Sequence, residues 1–184
     1  SVAGGNLVHL QQAARAFLAG LGERDEAALV TFNEKVLLRE DTSRDLAALG
    51  AALDRVRPRG GTALVDTLYV CLKRRWGTGR PLVVLFTDGQ DSASWLDNED
   101  VLEAARESSA LLQVVGTEAL PERTRPLLLP QGRVEPETES GYVYLLRRAA
   151  ETTGGAYWPV ASLTSLPAAF LRILEATNAR YVLR

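Results

Sequence analysis

The stretch from Pro81 to Ser94, PLVVLFTDGQDSAS, is the most informative part of this chain for predicting its fold. Its first part, Leu82 to Phe86, is a short unbroken apolar run, which predicts a strand buried on both faces inside a parallel sheet. Asp88 then follows the carboxyl end of the strand, the edge at which open α/β sheets bind ligands. Gly89 permits a sharp turn and has no Cβ to obstruct a ligand. The competing interpretation is that Asp88 and Gly89 form an ordinary exposed turn.

Length and composition indicate an ordinary globular protein. The chain has 184 residues, of which 46% are hydrophobic and 24% charged, and its net charge is −2. These values predict a single domain over residues 1–184 with a sizeable core, and they argue against nucleic-acid binding. No apolar run approaches the length of a membrane span. The single cysteine, Cys71, excludes an internal disulfide and is predicted to be a buried, unreactive thiol.

Helices and strands alternate along the chain. Helical patterns are predicted over Leu7 to Leu21, over Asp41 to Val56 with a cap at Asp41 to Ser43, over Leu64 to Trp76, from Asp97 or Asn98 to Ser109, over Gly141 to Thr153 and over Ser162 to Asn178. Strands are predicted over Ala27 to Phe32, Lys35 to Arg39, Leu82 to Phe86, Leu111 to Gly116, Ala156 to Pro159 and Arg180 to Arg184. The order predicts a doubly wound, mostly parallel α/β sheet with helices on both faces and one antiparallel edge strand.

The opening helix has no strand before it, although a doubly wound sheet normally begins with a central strand. The chain also opens with Ser1 rather than methionine. We therefore expect the natural protein to have an apolar strand that ends just before Ser1. Without that strand, we expect the fragment to aggregate or to recruit a strand from elsewhere.

Three loops with oxygen-bearing side chains are predicted to converge at the carboxyl edge of the sheet. They begin at Ser1, at Gly60-Gly61-Thr62 and at Thr87-Asp88-Gly89. Hydroxyl and carboxylate oxygens suit Mg²⁺, which prefers oxygen ligands and keeps several waters. Sites for softer metals are disfavoured because the chain lacks cysteine and histidine pairs.

GGTAL before a helix and VVLFTDGQD after a strand resemble the von Willebrand factor A (VWA) domain, and the resemblance extends over essentially the whole chain. It implies a metal-ion-dependent adhesion site (MIDAS) in which Ser1, Thr62 and Asp88 are ligands to Mg²⁺, or to Mn²⁺ or Ca²⁺. Two of the five motif positions of that family would lie upstream of Ser1.

The resemblance is closest to a bacterial branch, the acidobacterial VWFA-related domain. That branch shares a TALxD segment, a DGxDxxS turn and a terminal Tyr-x-Leu, which recur here at Thr62, at Asp88 and at Tyr181. Asp66 and Asp91 are candidates for orienting the metal-binding loops, with Gly61 and Gly89 as supporting residues. A simpler interpretation is favoured for both aspartates, in which Asp66 satisfies nearby backbone groups and Asp91 holds its turn.

The resemblance implies binding rather than turnover, with a protein partner's Asp or Glu carboxylate completing the Mg²⁺ coordination. We expect Trp95 to be an exposed contact residue, whereas Trp76 and Trp158 are expected in the core. The irregular stretch from Thr117 to Ser140 is a candidate for shaping partner choice. An extracytoplasmic location, secreted or periplasmic, is the favoured compartment.

Other functions stay open. A degenerate site would leave a metal-free interaction scaffold. A Mg²⁺-dependent hydrolase is disfavoured because the only lysines, Lys35 and Lys73, are not expected near the carboxyl-end loops. A serine hydrolase would need a Gly-x-Ser-x-Gly elbow, and a dinucleotide-binding loop would need G-x-G-x-x-G; neither motif is present.

Overall fold

A computed structural model of the protein describes residues 5–58, 60–117 and 141–181. The helices are α1 (Gly5–Ala19), α2 (Leu46–Asp54), α3 (Leu64–Lys73), α4 (Asn98–Glu107), α5 (Gly141–Thr152) and α6 (Leu166–Tyr181), the last preceded by a 3₁₀ turn over Leu163–Ser165. The strands are β1 (Ala27–Phe32), β2 (Val36–Ser43), β3 (Leu82–Thr87), β4 (Leu111–Thr117) and β5 (Ala156–Val160).

The strands form two hydrogen-bonded groups. β3, β4 and β5 pair in that order, and both pairings are parallel, while β1 and β2 form an antiparallel pair. Helices cover both faces of the parallel group. The predicted doubly wound α/β fold with one antiparallel edge strand is therefore confirmed.

Alternate residues of β3 and β4 supply two cores. One core packs α3, α4 and α5 against residues such as Leu85, Leu112 and Val114. The other packs α1 and α6 against Val84, Phe86 and Val115. This division follows from the geometry of a strand, whose successive side chains point to opposite faces.

The predicted burial of β3 on both faces is wrong for the described residues. Of the five residues Leu82 to Phe86, only Leu85 is buried. The cause is the sheet order, because β3 pairs with β4 on one side and with no described strand on the other. Its second edge faces a cleft that separates it from β1.

Two predicted boundaries also differ from the structure. β2 continues to Ser43 because that residue pairs with Ala27, and α2 therefore begins later, at Leu46. Asp45 is its N-cap residue, and the Asp45 Oδ1 atom accepts a hydrogen bond from the Ala48 N–H at 2.8 Å. At the other end, α6 continues to Tyr181, so the strand predicted from Arg180 is wrong where it is described. Residues 182–184 and the stretch 118–140 lie outside the described residues.

Candidate metal centre

The loop before α3 is held at the carboxyl end of β1. Gly60 has a φ of 63°, a left-handed conformation that favours glycine, and the Gly61 N–H donates a hydrogen bond to Glu34 Oε1 at 3.2 Å. The Ala63 N–H donates to the carbonyl of Asn33 at 2.6 Å. Thr62, between them, is buried with 7% of its surface exposed. The backbone of this loop is therefore fixed from both sides of Thr62.

The same loop is bound to the loop after β3. The Thr62 N–H donates to Ser92 Oγ at 3.0 Å, and the Thr62 carbonyl accepts from the backbone N–H groups of Ser92 and Ala93 at 2.9 and 3.1 Å. A Cβ on Gly61 would lie 3.0 Å from Ser92 Oγ, so the two loops are closely packed at this point. Within the described part of the chain, these bonds leave the hydroxyl group of Thr62 without a hydrogen-bonding partner.

Asp88 opens a tight turn at the end of β3. Its Oδ1 accepts a hydrogen bond from the Gln90 N–H at 3.3 Å, and Thr87 Oγ1 accepts one from the Gly89 N–H at 3.0 Å. Gly89 has a φ of 75°, which is strained for any residue with a Cβ. The glycine therefore allows the chain to reverse directly after the half-buried Asp88.

Asp91 caps α3 from another part of the chain. Ala63, the N-cap residue of α3, makes no side-chain capping bond, and Asp91 Oδ2 accepts instead from the Val65 N–H at 3.0 Å. The same carboxylate accepts from the N–H and the hydroxyl group of Ser94 at 3.2 and 2.5 Å. A carboxylate at the N-terminus of a helix is stabilised by the unsatisfied N–H groups and by the helix dipole.

Asp66 makes the reciprocal connection. It lies in the first turn of α3, and its carboxylate accepts from the backbone N–H groups of Trp95 at 3.1 and 3.2 Å and of Leu96 at 3.0 Å. Its own N–H donates to Ser94 Oγ at 3.2 Å. Asp66 and Asp91 therefore tie the start of α3 and the loop after β3 together in both directions.

Replacement of Asp91 by alanine is expected to lower the free energy of unfolding by about 1–2 kcal/mol at neutral pH, the usual cost of a lost helix cap. Burial raises the pKa of the Asp91 carboxyl group, but hydrogen bonds from Ser94, Val65 and Leu64 outweigh it, so the pKa lies below its ordinary value. A lowered folded-state pKa stabilises the fold above the unfolded pKa, about 3.9, and this contribution disappears as the pH falls through the folded value.

Urea titrations of the wild type and of Asp91→Ala at a series of pH values would measure this difference. The two curves should be separated by a constant amount near neutral pH and approach each other below about pH 4. Glu175→Ala, which removes an exposed carboxylate on α6, should change stability by less than about 0.5 kcal/mol. A separation that does not depend on pH would contradict the assignment of Asp91 as a charged cap.

Thr62 and Asp88 line the same end of the cleft between β1 and β3. They come from two loops that follow different elements, and the hydrogen bonds above bring those loops together. Ser1, the third predicted ligand, lies outside the described residues. Among residues 5–58, 60–117 and 141–181, there is no group of three or more His, Cys, Asp or Glu residues placed to bind a metal.

The available donors suit a hard cation. A hydroxyl group and a carboxylate are both oxygen ligands, and a site with few protein ligands leaves room for the waters that Mg²⁺ keeps. The carboxylates of Asp66 and Asp91 accept hydrogen bonds from backbone N–H groups and from the Ser94 hydroxyl group. These two residues therefore hold the loops in position.

Comparison with known proteins identifies the family. The sequence model described as the von Willebrand factor type A domain matches residues 1–90. The chain contains a von Willebrand factor type A domain. No curated protein matches the chain.

Solved structures have the same fold. A von Willebrand factor type A protein from Catenulispora acidiphila is 18% identical, with a TM-score of 0.66 over 90% of this chain and 37% of that chain. Proximal thread matrix protein 1 from the mussel byssus, with a zinc-occupied MIDAS motif, is 16% identical, with a TM-score of 0.65 over 92% of this chain and 40% of that chain. An aerotolerance-related membrane protein from Bacteroides fragilis, with multiple mutations to serines, is 17% identical, with a TM-score of 0.61 over 92% and 88% of the two chains.

The turn after β1 also lies at this edge of the domain. Glu34 and Asn33, which follow β1, accept hydrogen bonds from the backbone N–H groups of Gly61 and Ala63. A polar pair directly after the carboxyl end of a predicted strand is the sequence signal that marks this turn. The same turn contains Lys35, so the prediction that neither lysine lies near the carboxyl-end loops is wrong for this residue.

The exposure of the tryptophans and of the cysteine can be compared with the predictions. Trp95 is 95% exposed, as predicted for a contact residue, while Trp76 and Trp158 are half-buried rather than fully in the core. Cys71 is buried, as predicted, and burial raises the pKa of its thiol to about 11, which disfavours the reactive thiolate. In the described residues, no helix is both long and apolar enough to span a membrane.

Proposed function

We propose that this VWA domain is a metal-dependent protein-binding module. Thr62 and Asp88 bind Mg²⁺, or Mn²⁺ or Ca²⁺ in its place, with Ser1 as a further hydroxyl ligand. A protein partner supplies an Asp or Glu carboxylate that completes the coordination. The observation that carries the proposal is the placement of Thr62 and Asp88 at one end of one cleft, on loops that are hydrogen-bonded to each other.

When bound, the cation supplies a positive charge with an exchangeable coordination position for an acidic side chain. The chain's own residues hold the ligands in place. Asp91 fixes the start of α3 directly after Thr62, and Asp66 fixes the loop that follows Asp88. Oriented ligands cost less entropy on binding than mobile ones, so this support is expected to strengthen cation binding.

Binding without turnover fits the rest of the domain. VWA domains are generally interaction modules, and two groups that a hydrolase could use lie away from the candidate site. The Lys73 ammonium group donates to Glu107 at 2.7 Å, and the Cys71 thiol is buried in the core. We propose that the domain is not an enzyme.

Two of the similar structures support details of the proposal. The mussel protein has zinc in its MIDAS motif, which supports a divalent cation in this domain without fixing its identity. The Bacteroides protein is a membrane protein, which supports the proposed extracytoplasmic location. The placement of this chain in a bacterial branch of the family also stays a prediction.

Trp95 is proposed as a partner-contact residue. Its side chain is 95% exposed, whereas its backbone N–H is held by the carboxylate of Asp66. A large exposed aromatic side chain on a fixed backbone is the residue type that dominates protein interfaces. Its loop is the one that begins at Asp88, and we propose that one partner contacts both the cation and Trp95. The stretch from Thr117 to Ser140 is a second proposed determinant of partner choice.

Calorimetric titration with MgCl₂ and MnCl₂ tests the metal-binding part of this proposal. We expect the wild type to bind, and we expect Asp88→Asn and Thr62→Val each to weaken binding by about tenfold or more. Both substitutions nearly preserve side-chain shape while removing a charge or a hydroxyl group.

Glu99→Gln is the matched control for the loss of charge, because Glu99 is exposed in the first turn of α4. Its affinity should stay within about twofold of the wild type. If the wild type does not bind either cation, the proposal fails and a metal-free interaction scaffold becomes the function to test, beginning with Trp95.

A further inference from the structure

The loop that joins Asp88 to α4 exposes an aromatic side chain beside a hollow. Trp95 is 95% exposed, more than any other large hydrophobic residue in the described part of the chain. The residues on either side of it, Ser94 and Leu96, line a hollow of about 420 Å³. Binding pockets typically have volumes of about 300–1,000 Å³, so the hollow is large enough to hold a ligand group. Trp95 and this hollow are together called the Trp95 surface.

The lining of the hollow changes from apolar to acidic as it becomes more exposed. Val65 is buried, and Leu96 and Tyr142 are half-buried, whereas Asp97 and Glu99 are exposed. Such a lining suits a long side chain with an apolar stem and a cationic end. The stem packs on the apolar part, while the charge stays beside the carboxylates and in contact with water. Lysine and arginine are the side chains of this kind.

The chain around the Trp95 surface is strongly acidic. Residues 88–105 contain six carboxylates and no basic residue, although the whole chain has 21 basic and 23 acidic residues. The hollow is lined by the first turns of α3, α4 and α5, and each helix end contributes about half a positive charge. Their sum, on the order of +1.5, is small against the six negative charges. The surface therefore attracts a cationic partner and repels an anionic one.

The helix ends that line the hollow are also satisfied from within the chain. Asp91 accepts a hydrogen bond from the Val65 N–H in α3, and Asp97 accepts from the N–H groups of Glu99 and Asp100 in α4. An anion would have to displace these two carboxylates to reach the N–H groups. Among the described residues, the side chain of Glu99 takes part in no ion pair, so its charge is available to a cation.

The exposed indole favours arginine over lysine as the cation. A guanidinium group is planar and weakly hydrated, so it stacks on an aromatic ring and donates parallel hydrogen bonds to carboxylates at the same time. This pairing already occurs elsewhere in the domain, where the Arg74 guanidinium group lies 4.9 Å from the centroid of the Trp76 ring. In the described part of the chain, no cation lies over the ring of Trp95 in this way.

We propose that the Trp95 surface binds a basic segment of a protein partner, with an arginine side chain in the hollow beside Trp95 and the carboxylates of Asp97 and Glu99. The inference rests on the proposed function for the existence of a protein partner, and it adds the chemistry of that partner. The partner carries arginine close to the acidic residue that reaches the cation. The contact with arginine itself needs no metal ion.

The test uses the whole 184-residue chain in EDTA at low ionic strength, so that binding does not depend on a metal. The probe is the fluorescein-labelled peptide Gly-Ser-Arg-Gly-Arg-Ser-Arg-Gly, and the readout is fluorescence anisotropy. Trp95→Ala should weaken binding by about tenfold. Asp97→Asn, which keeps a side chain suited to an N-cap, and Glu99→Gln should each weaken binding by about two- to fivefold.

Two controls match these changes. The same peptide with citrulline in place of arginine keeps the side-chain shape without the charge, and it should bind at least about tenfold more weakly. Glu175→Gln, which changes an exposed carboxylate on α6, should stay within about twofold of the wild type. Equal binding of the two peptides, no binding of the arginine peptide, or equal binding by the wild type and Trp95→Ala would overturn the proposal. Arginine amide that binds as tightly as the peptide would overturn the protein segment in favour of a small cation.

Titration of the same variants with MgCl₂ separates this inference from the proposed function. Trp95→Ala and Glu99→Gln should bind Mg²⁺ within about twofold of the wild type, because neither residue is a proposed ligand. If the wild type binds the arginine peptide but not Mg²⁺, the metal-dependent function fails and the inference stands. If it binds Mg²⁺ but not the arginine peptide, the inference alone is overturned.

Discussion

Replacement of Gly155 by alanine is expected to lower the free energy of unfolding by about 3 kcal/mol, the upper part of the usual range for overpacking. A Cβ at this position would lie 1.7 Å from the carbonyl oxygen of Leu112 and 2.6 Å from its carbonyl carbon. Both atoms belong to the backbone of β4, so they cannot move aside as a flexible side chain could. The close approach lies where the chain leaves α5 and enters β5.

Guanidinium titration of Gly155→Ala and of the wild type measures this effect. In a thermal denaturation experiment, the midpoint of Gly155→Ala should lie about 6–12 °C below that of the wild type for a chain of this length. Gly79→Ala is the matched control, since a Cβ on Gly79 has no atom within 4 Å and its φ is not positive. That control should be neutral or slightly stabilising, because alanine restricts the unfolded chain more than glycine does. Similar midpoints for the two variants would contradict the packing argument.

Replacement of Gln113 by methionine is expected to destabilise the protein by about 2–4 kcal/mol, because it leaves two hydrogen-bond donors without their acceptor. Gln113 is only 3% exposed, and its Oε1 accepts from the Ala156 N–H at 3.1 Å and from the Trp158 indole N–H at 2.7 Å. Methionine has a similar length and is apolar, so the volume of the site changes little. The loss is therefore one of hydrogen bonding rather than of packing.

A double-mutant cycle checks this cause. Trp158→Phe removes one of the two donors, so Gln113→Met should cost less in the Trp158→Phe background than in the wild type, by about 0.5–3 kcal/mol. The readout is the free energy of unfolding of the four proteins in urea. Strictly additive effects would show that the indole–amide hydrogen bond does not contribute, and that the cost comes from another source.

Local sequence patterns were sufficient to predict the alternation of helices and strands, the parallel sheet and the antiparallel hairpin strand. The same patterns predicted Thr62 in a loop directly before α3 and Asp88 in a loop directly after β3. These features are local: a buried strand is an apolar run, a turn needs Gly89, and a carboxylate after a strand lies at the carboxyl edge.

Features that depend on contacts between distant segments became visible only in the three-dimensional structure. α3 is capped by Asp91, which accepts a hydrogen bond from the N–H of Val65, 26 positions away in the sequence. No local sequence pattern indicates that these two residues are in contact. The half-exposure of β3 arises because strand burial depends on which strands pair beside it. α6 continues to Tyr181, although a short β-rich pattern predicts a strand there. Strand propensity over so few residues is a weak and context-dependent signal.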